Sequence, residues 1–210
     1  MEIVTLMTAG FEPAIEAMRN PMNSWDKSDS FVIRAMVDPE EHYEVGVKDK
    51  ELSKKLQTAG PEHCKHLRMV MVWADITAPR QWWMEFDTYR HGVEKVSCST
   101  MHKLMARPLR MDDFEHEPGC EPMLDSIIRE LNRKMYEYQN AIDVDTDRAK
   151  EVWREIILLL PQSYLQKRTV MMSYAALRNI VRQRKGHKLK EWAMFIDWAK
   201  SLPESWMIFD

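Results

Sequence analysis

The stretch MVMVWADITAPRQWWMEF, residues 69–86, decides how the chain is read. Met69 to Ile76 is an apolar, β-rich run, and Ala78-Pro79 stops it. Arg80 to Phe86 then opens a segment dense in aromatics and charge that runs on into a polar stretch, Asp87 to Lys103. Upstream, Ile3 to Met7 reads as a strand and Thr8-Ala9-Gly10 as a turn. Phe11, Ile15 and Met18 then fall at helical spacing before Asn20-Pro21. Phe31 to Val37 reads as a second strand ending at Asp38-Pro39, and Lys48 to Thr58 as a short helix closed by Gly60-Pro61. Downstream, Met123, Ile127, Leu131, Met135 and Tyr138 form one stripe of a long helix that starts after Pro122. Three more helices are expected: Ala149 to Leu160, about Tyr164 to Arg184, and Leu189 to Ser201. Strands early and helices late, with at most one strand near the middle, make a mixed α/β (α+β) domain.

The 210 residues, with 45% apolar and 30% charged, suit one globular domain over 1–210, large enough to bury a core without staples. A net charge of -3 argues against a nucleic-acid coat or a polybasic membrane binder. With only 6 glycines, a Gly-rich phosphate loop is not expected and none is present. The 17 Met and 8 Trp point to a soft, aromatic interior. Trp82 and Trp83 are candidate walls of a cleft, whereas Trp153, Trp192 and Trp198 read as core or subunit contact. Cys64, Cys98 and Cys120 are odd in number and widely spaced, which suits a reducing compartment. No signal-peptide core opens the chain and no apolar run is long enough to span a bilayer, so a cytoplasmic protein is expected.

Two basic clusters are hidden in the acidic total. Arg80, Gln81, Arg90, His91, Lys95, His102 and Lys103 lie among Ser97, Ser99 and Thr100, and guanidinium groups beside hydroxyls suit phosphate. Against this stands the plain reading of a solvated helix and loop, to which Trp82, Trp83, Phe86 and Tyr89 are poorly suited. The second cluster runs from Arg178 to Lys190; Arg178 and Arg182 share a helix face, and cations also suit a helix C-terminus for electrostatic reasons alone. His63 and His66 are one turn apart, but no third ligand stands at metalloenzyme spacing, so no metal site is expected.

The ordered set Ala9-Gly10-Phe11, Glu62-His63-Cys64-Lys65-His66 and Ala78-Pro79-Arg80-Gln81-Trp82-Trp83 resembles the flavin-dependent thymidylate synthases. Ala149-Lys150-Glu151 through Leu160-Pro161, and Tyr164 through Arg184, are similar to that family's later elements, so the likeness runs along nearly the whole chain. It implies an antiparallel-rich central sheet with helices packed around it, and a homotetramer with shared active sites. The implied chemistry is transfer of one carbon from methylene-tetrahydrofolate to C5 of a pyrimidine deoxynucleotide monophosphate (methylation of dUMP to dTMP), with FAD as cofactor and NADPH as reductant. Carried over by position, Ser99 or Thr100 would be the catalytic hydroxyl. Arg80, Gln81, Ser97, His102, Lys103 and Arg168 (or Lys167) would bind substrate. His66, Arg90, His91, Arg182, Arg184 and His187 would contact the cofactor.

The chain also departs from the family pattern. Met84-Glu85-Phe86 stands where the family has Arg-His-Arg; the nearest echo is Arg90-His91-Gly92, and Thr100-Met101-His102-Lys103 replaces the end of the signature. Glu85 and Asp87 bring negative charge to a place where the family has cations. These differences keep two alternatives beside dUMP methylation: C5 hydroxymethylation of dUMP or dCMP for modified viral DNA, and a non-catalytic nucleotide-binding paralogue.

Overall fold

In the computed structural model, which describes residues 1–33 and 42–209 (backbone alone for His42, Met101 and His102), strands and helices are interspersed along the chain. β1 (Glu2–Ala9) leads to α1 (Phe11–Arg19), β2 (Phe31–Ile33), β3 (His42–Glu44), α2 (Val47–Ala59) and β4 (Met71–Pro79). Then come α3 (Arg80–Phe86), β5 (Val93–Ser97), α4 (Thr100–Lys103), α5 (Glu121–Ala141) and α6 (Thr146–Leu159). β6 (Leu165–Ser173), α7 (Tyr174–Arg184), α8 (Lys190–Lys200) and α9 (Trp206–Phe209) complete the order. Residues 34–37 of the expected strand Phe31 to Val37 lie outside the described residues. No described helix is long and apolar enough to cross a membrane.

A four-stranded sheet has the order β1-β4-β6-β5. Backbone bonds from Tyr174 to Val70 and from Arg80 to Tyr164 run β4 antiparallel to β6, and those from Ser173 to Gly92 and from Cys98 to Lys167 do the same for β6 and β5. β2 and β3 form a separate antiparallel pair. The fold class is the mixed one expected, but two strands replace expected helix and loop. The presumed helix from Tyr164 to Arg184 is a strand as far as Ser173, with Val170 and Met172 buried on alternate positions. Ser173 then caps α7 by accepting from Ala176 N. Val93–Ser97, within the presumed polar stretch, is the edge strand β5.

The contacts divide the chain into two interleaved units. The first comprises Met1–Glu2, Ile76–Thr88 and Val96–Arg168; the second, Ile3–Asp75, Tyr89–Lys95 and Thr169–Asp210. In the first unit the core lies in the α5–α6 hairpin, where Leu124, Ile128, Leu131 and Met135 face Val152 and Ile156. Met123, assigned to this stripe from the sequence, is 70% exposed; the buried face starts one residue later. The Asp145 carboxylate caps α6 by accepting from Arg148 N.

In the second unit, Ile15 and Met18 of α1, Val70 and Val72, Leu177 and Ile180 of α7, and Trp192 and Phe195 of α8 are buried. The start of α2 is tied down by two aspartates. Asp29 accepts from Lys48 N and Asp49 N. Asp49, fully buried, accepts from Arg19 Nε at 2.6 Å, Ser28 Oγ at 2.5 Å and Ser30 Oγ at 2.6 Å. Burial pushes the Asp49 carboxyl up, but these donors outweigh it and hold it below the usual carboxylate value.

Candidate functional site

The larger cavity lies in the second unit and has a volume of about 1050 Å³, at the upper end for small-molecule sites. Gln57, Thr58 and Gly60 at the end of α2 form one side, the segment Pro61 to Met71 another, and α7 supplies Ala175, Ala176, Arg178, Asn179 and Arg182. Three guanidinium groups therefore face an otherwise largely apolar space. Among the described residues, Arg68 and Arg182 have no ion-pair or hydrogen-bond partner, and both are exposed. Arg178, 7% exposed, donates to Gln57 Oε1. Gly92 closes another side at φ +69°, where a Cβ would fall 2.6 Å from Ser173 Oγ. Backbone thus approaches the cap of α7 more closely than any side chain would allow.

Behind Gln57 runs a buried polar chain. Gln57 Nε2 donates to Ser53 Oγ at 3.3 Å, and Ser53 Oγ lies 2.7 Å from His66 Nε2. Because Arg178 engages Gln57 Oε1, the amide must turn its N–H toward Ser53. The Ser53 hydroxyl, which can both accept and donate, then meets His66 Nε2 in the direction set by the imidazole tautomer. Nδ1 is buried without a hydrogen-bond partner among the described residues. Burial lowers the His66 pKa to about 4, so the ring is neutral around pH 7.

The first unit holds a smaller cavity of about 250 Å³, lined by Arg80, Met84, Asp87, Thr100, Ile157, Leu160, Gln162, Gln166 and Arg168. Backbone bonds from Arg80 N to Tyr164 O and from Gln81 N to Gln162 O set the start of α3 beside the entry to β6. The Arg168 guanidinium lies over the Trp83 ring, 4.3 Å from its centre, and Trp83 Nε1 donates to Gln166 O at 2.8 Å. Arg168 Nε and Nη2 donate to Gln166 Oε1 at 3.1 and 3.0 Å, while Nη1 donates to both Asp87 oxygens at 2.9 and 3.1 Å. Gln166 Nε2 donates to Cys98 O and to Thr100 Oγ1. Among the described residues, the Arg80 guanidinium has no ion-pair or hydrogen-bond partner.

Of the residues expected from the sequence, Arg80, Thr100 and Arg168 meet in this smaller cavity. His91 and Arg182 line the larger one, and His66 stands behind its wall. Gln81, Ser97 and Lys103 are exposed, half-buried Ser99 holds the turn into α4 by accepting from Lys103 N, and none of these four lines either cavity. Arg90 is exposed and lines neither. Arg184 donates to Tyr89 Oη at 2.8 Å and covers Trp192, against whose ring His187 also packs. The His102 side chain lies outside the described residues. Trp82 and Trp83 are buried and line neither cavity; Trp83 serves as the floor under Arg168. Sequence reading missed Gln166, because a residue two before Arg168 shares its face only in a strand. It also passed over Arg68 and Gln162. Among the described residues no three His, Cys, Asp or Glu side chains gather as metal ligands.

No family model matches the chain, and no curated protein matches it in sequence. Solved structures do. A flavin-dependent thymidylate synthase, ThyX of Helicobacter pylori, solved with FAD and dUMP, is 19% identical with a TM-score of 0.70, over 100% of this chain and 98% of that one. A UMP/dUMP methylase, PolB of Streptomyces cacaoi, bound to 5-Br dUMP, is 15% identical with a TM-score of 0.63, over 99% and 94%. The resemblance drawn from the ordered motifs is thus borne out in the architecture: the protein has the fold of the flavin-dependent thymidylate synthases.

Proposed function

We propose that the protein is a divergent flavin-dependent enzyme acting at C5 of a pyrimidine deoxynucleotide monophosphate, with dUMP methylation as its reaction. The observation that carries this reading is the larger cavity, where Arg68 and Arg182, unpartnered among the described residues, face apolar walls in a fold whose solved examples hold FAD and dUMP. The donor set fits a flavin dinucleotide. Arg68, Arg182 and His91 would take its phosphates, while Met71 and Ala175 offer apolar surface to a flat ring. Gly92 keeps the backbone low where a side chain would intrude. When bound, the reduced flavin supplies hydride, and NADPH is the reductant that restores it.

In the same reading, the smaller cavity takes the nucleotide. Arg80, unpartnered among the described residues, supplies a cation for the phosphate, Gln162 an amide for a pyrimidine edge, and Thr100 a hydroxyl beside them. Methylene-tetrahydrofolate is the one-carbon donor, and Ser99 stays the alternative to Thr100 as the catalytic hydroxyl. A homotetramer in a cytoplasmic setting belongs to this proposal; the half-exposed Val4, Leu6 and Met7 of β1 supply apolar surface for association.

The test begins with the visible absorbance of the purified protein, alone and after adding FAD. Flavin bound at micromolar concentration is expected, and a colourless protein that binds none would end the flavoenzyme reading. Product mass from dUMP or dCMP with methylene-tetrahydrofolate and NADPH then separates methyl from hydroxymethyl transfer. One observation favours a second reading, the non-catalytic nucleotide-binding paralogue: Met84-Glu85-Phe86 replaces the family's Arg-His-Arg, and Asp87 holds Arg168. Nucleotide binding without turnover under every folate and reductant condition is its mark.

A further inference from the structure

The two guanidinium groups of the smaller cavity differ in one respect. Arg80 is unpartnered among the described residues, whereas Arg168 has Trp83 beneath it, Gln166 along one edge and the Asp87 carboxylate across Nη1. Trp83 and Gln166 are fastened to β6 or the turn before α4 and stay where they are. Asp87 is the replaceable partner, since its side chain is 42% exposed against 16% for Arg168. It also stands at the C-cap of α3, its N–H bonded to Trp83 O at 2.8 Å, where the negative end of a helix disfavours a carboxylate. Arg168 offsets that cost. While the pair is closed, the guanidinium has little left to offer an incoming oxyanion.

We propose that Asp87 is a specificity-determining gate on Arg168: it holds the guanidinium in the free protein and yields it when a phosphomonoester enters the cavity. The carboxylate repels a phosphate dianion that lacks the shape to reach Arg168, and competes with one that does reach it. A monophosphate binds more weakly than the two cations alone would allow, and removing the carboxylate tightens it. This rests on the nucleotide reading of the cavity given above for the identity of the ester, but not for the anion itself.

The test is isothermal titration of the full chain with inorganic phosphate and, separately, with dUMP. Wild type is compared with Asp87→Asn, Asp87→Ser and Asp87→Asn/Arg168→Ala, each checked by circular dichroism. Asp147→Asn, whose side chain is 91% exposed, controls for net charge alone. Both Asp87 variants are expected to bind phosphate and dUMP about three- to tenfold more tightly, the scale of a partly exposed ion pair. The double variant should lose that gain, and the control should show none. Unchanged or weaker phosphate binding in Asp87→Asn and Asp87→Ser overturns the gate, as does a gain that survives loss of Arg168 or appears in the control. Tighter phosphate binding with no dUMP binding in any variant keeps the gate and removes the nucleotide reading.

Discussion

Ser53 Oγ and His66 Nε2 lie 2.7 Å apart in the interior, joined through Gln57 to the guanidinium of Arg178 on the wall of the larger cavity. The histidine assigned to the cofactor by position therefore stands behind the cavity wall, linked to Arg178 through Ser53 and Gln57. Burial lowers the folded pKa from 6.5 to about 4. Between those values the unfolded chain binds a proton that the folded ring refuses. Stability is whole above pH 6.5 and falls as the pH drops toward 4, by about 3 kcal/mol from this residue. Denaturant midpoints across that range should fall more steeply in wild type than in His66→Gln; parallel curves would contradict the buried neutral ring.

Arg68→Ala and Arg182→Ala remove exposed side chains, so folding stability should stay within about 0.5 kcal/mol of wild type. Flavin affinity should fall by about 1.5–3 kcal/mol for each, the scale of a charge-assisted hydrogen bond. Fluorescence quenching of added FAD measures it. Unchanged affinity in both variants would move the phosphates elsewhere.

Gly92→Ala places a Cβ 2.6 Å from Ser173 Oγ at φ +69°. Strain and the disturbed cap of α7 should together cost about 1–3 kcal/mol, read by urea denaturation. Because Gly92 and Ser173 both line the larger cavity, flavin affinity should fall as well.

Arg19→Ala leaves the Asp49 carboxylate buried with, among the described residues, only hydroxyl donors. A loss of about 3–5 kcal/mol is expected, the scale of breaking a buried pair. Arg19→Met with Asp49→Leu should recover part of it. Equal destabilisation in the double variant would show that the ion pair itself, and not the stranded charge, sets the stability.

β4 up to Pro79 and α8 up to Leu202 were legible from an apolar rhythm and a clear stop. α2 was legible from its stop at Gly60-Pro61, although the face it buries is the polar row Asp49, Ser53 and Gln57. β6 was not, because Leu165 to Ser173 runs without a break into α7 and its polar Gln166, Lys167 and Arg168 suit a helix as well as a half-exposed strand. That misreading also hid part of the candidate site. Gln166 and Arg168 share one face only at a period of two, whereas Arg178 and Arg182 were found together because a helix brings residues four apart into line. The role of Asp87 depends on a partner 81 positions away and leaves no local trace.

β1 is an eight-residue edge strand in which Val4 and Leu6 on one face and Met7 on the other are about half exposed, with neither lysine nor proline to blunt it. A long apolar edge of this kind is a ready template for strand pairing with another chain. In the proposed homotetramer a second copy would cover this strand, so isolated monomers are expected to aggregate in proportion to their concentration during production. A lysine in place of Leu6 should then raise the soluble yield while weakening self-association.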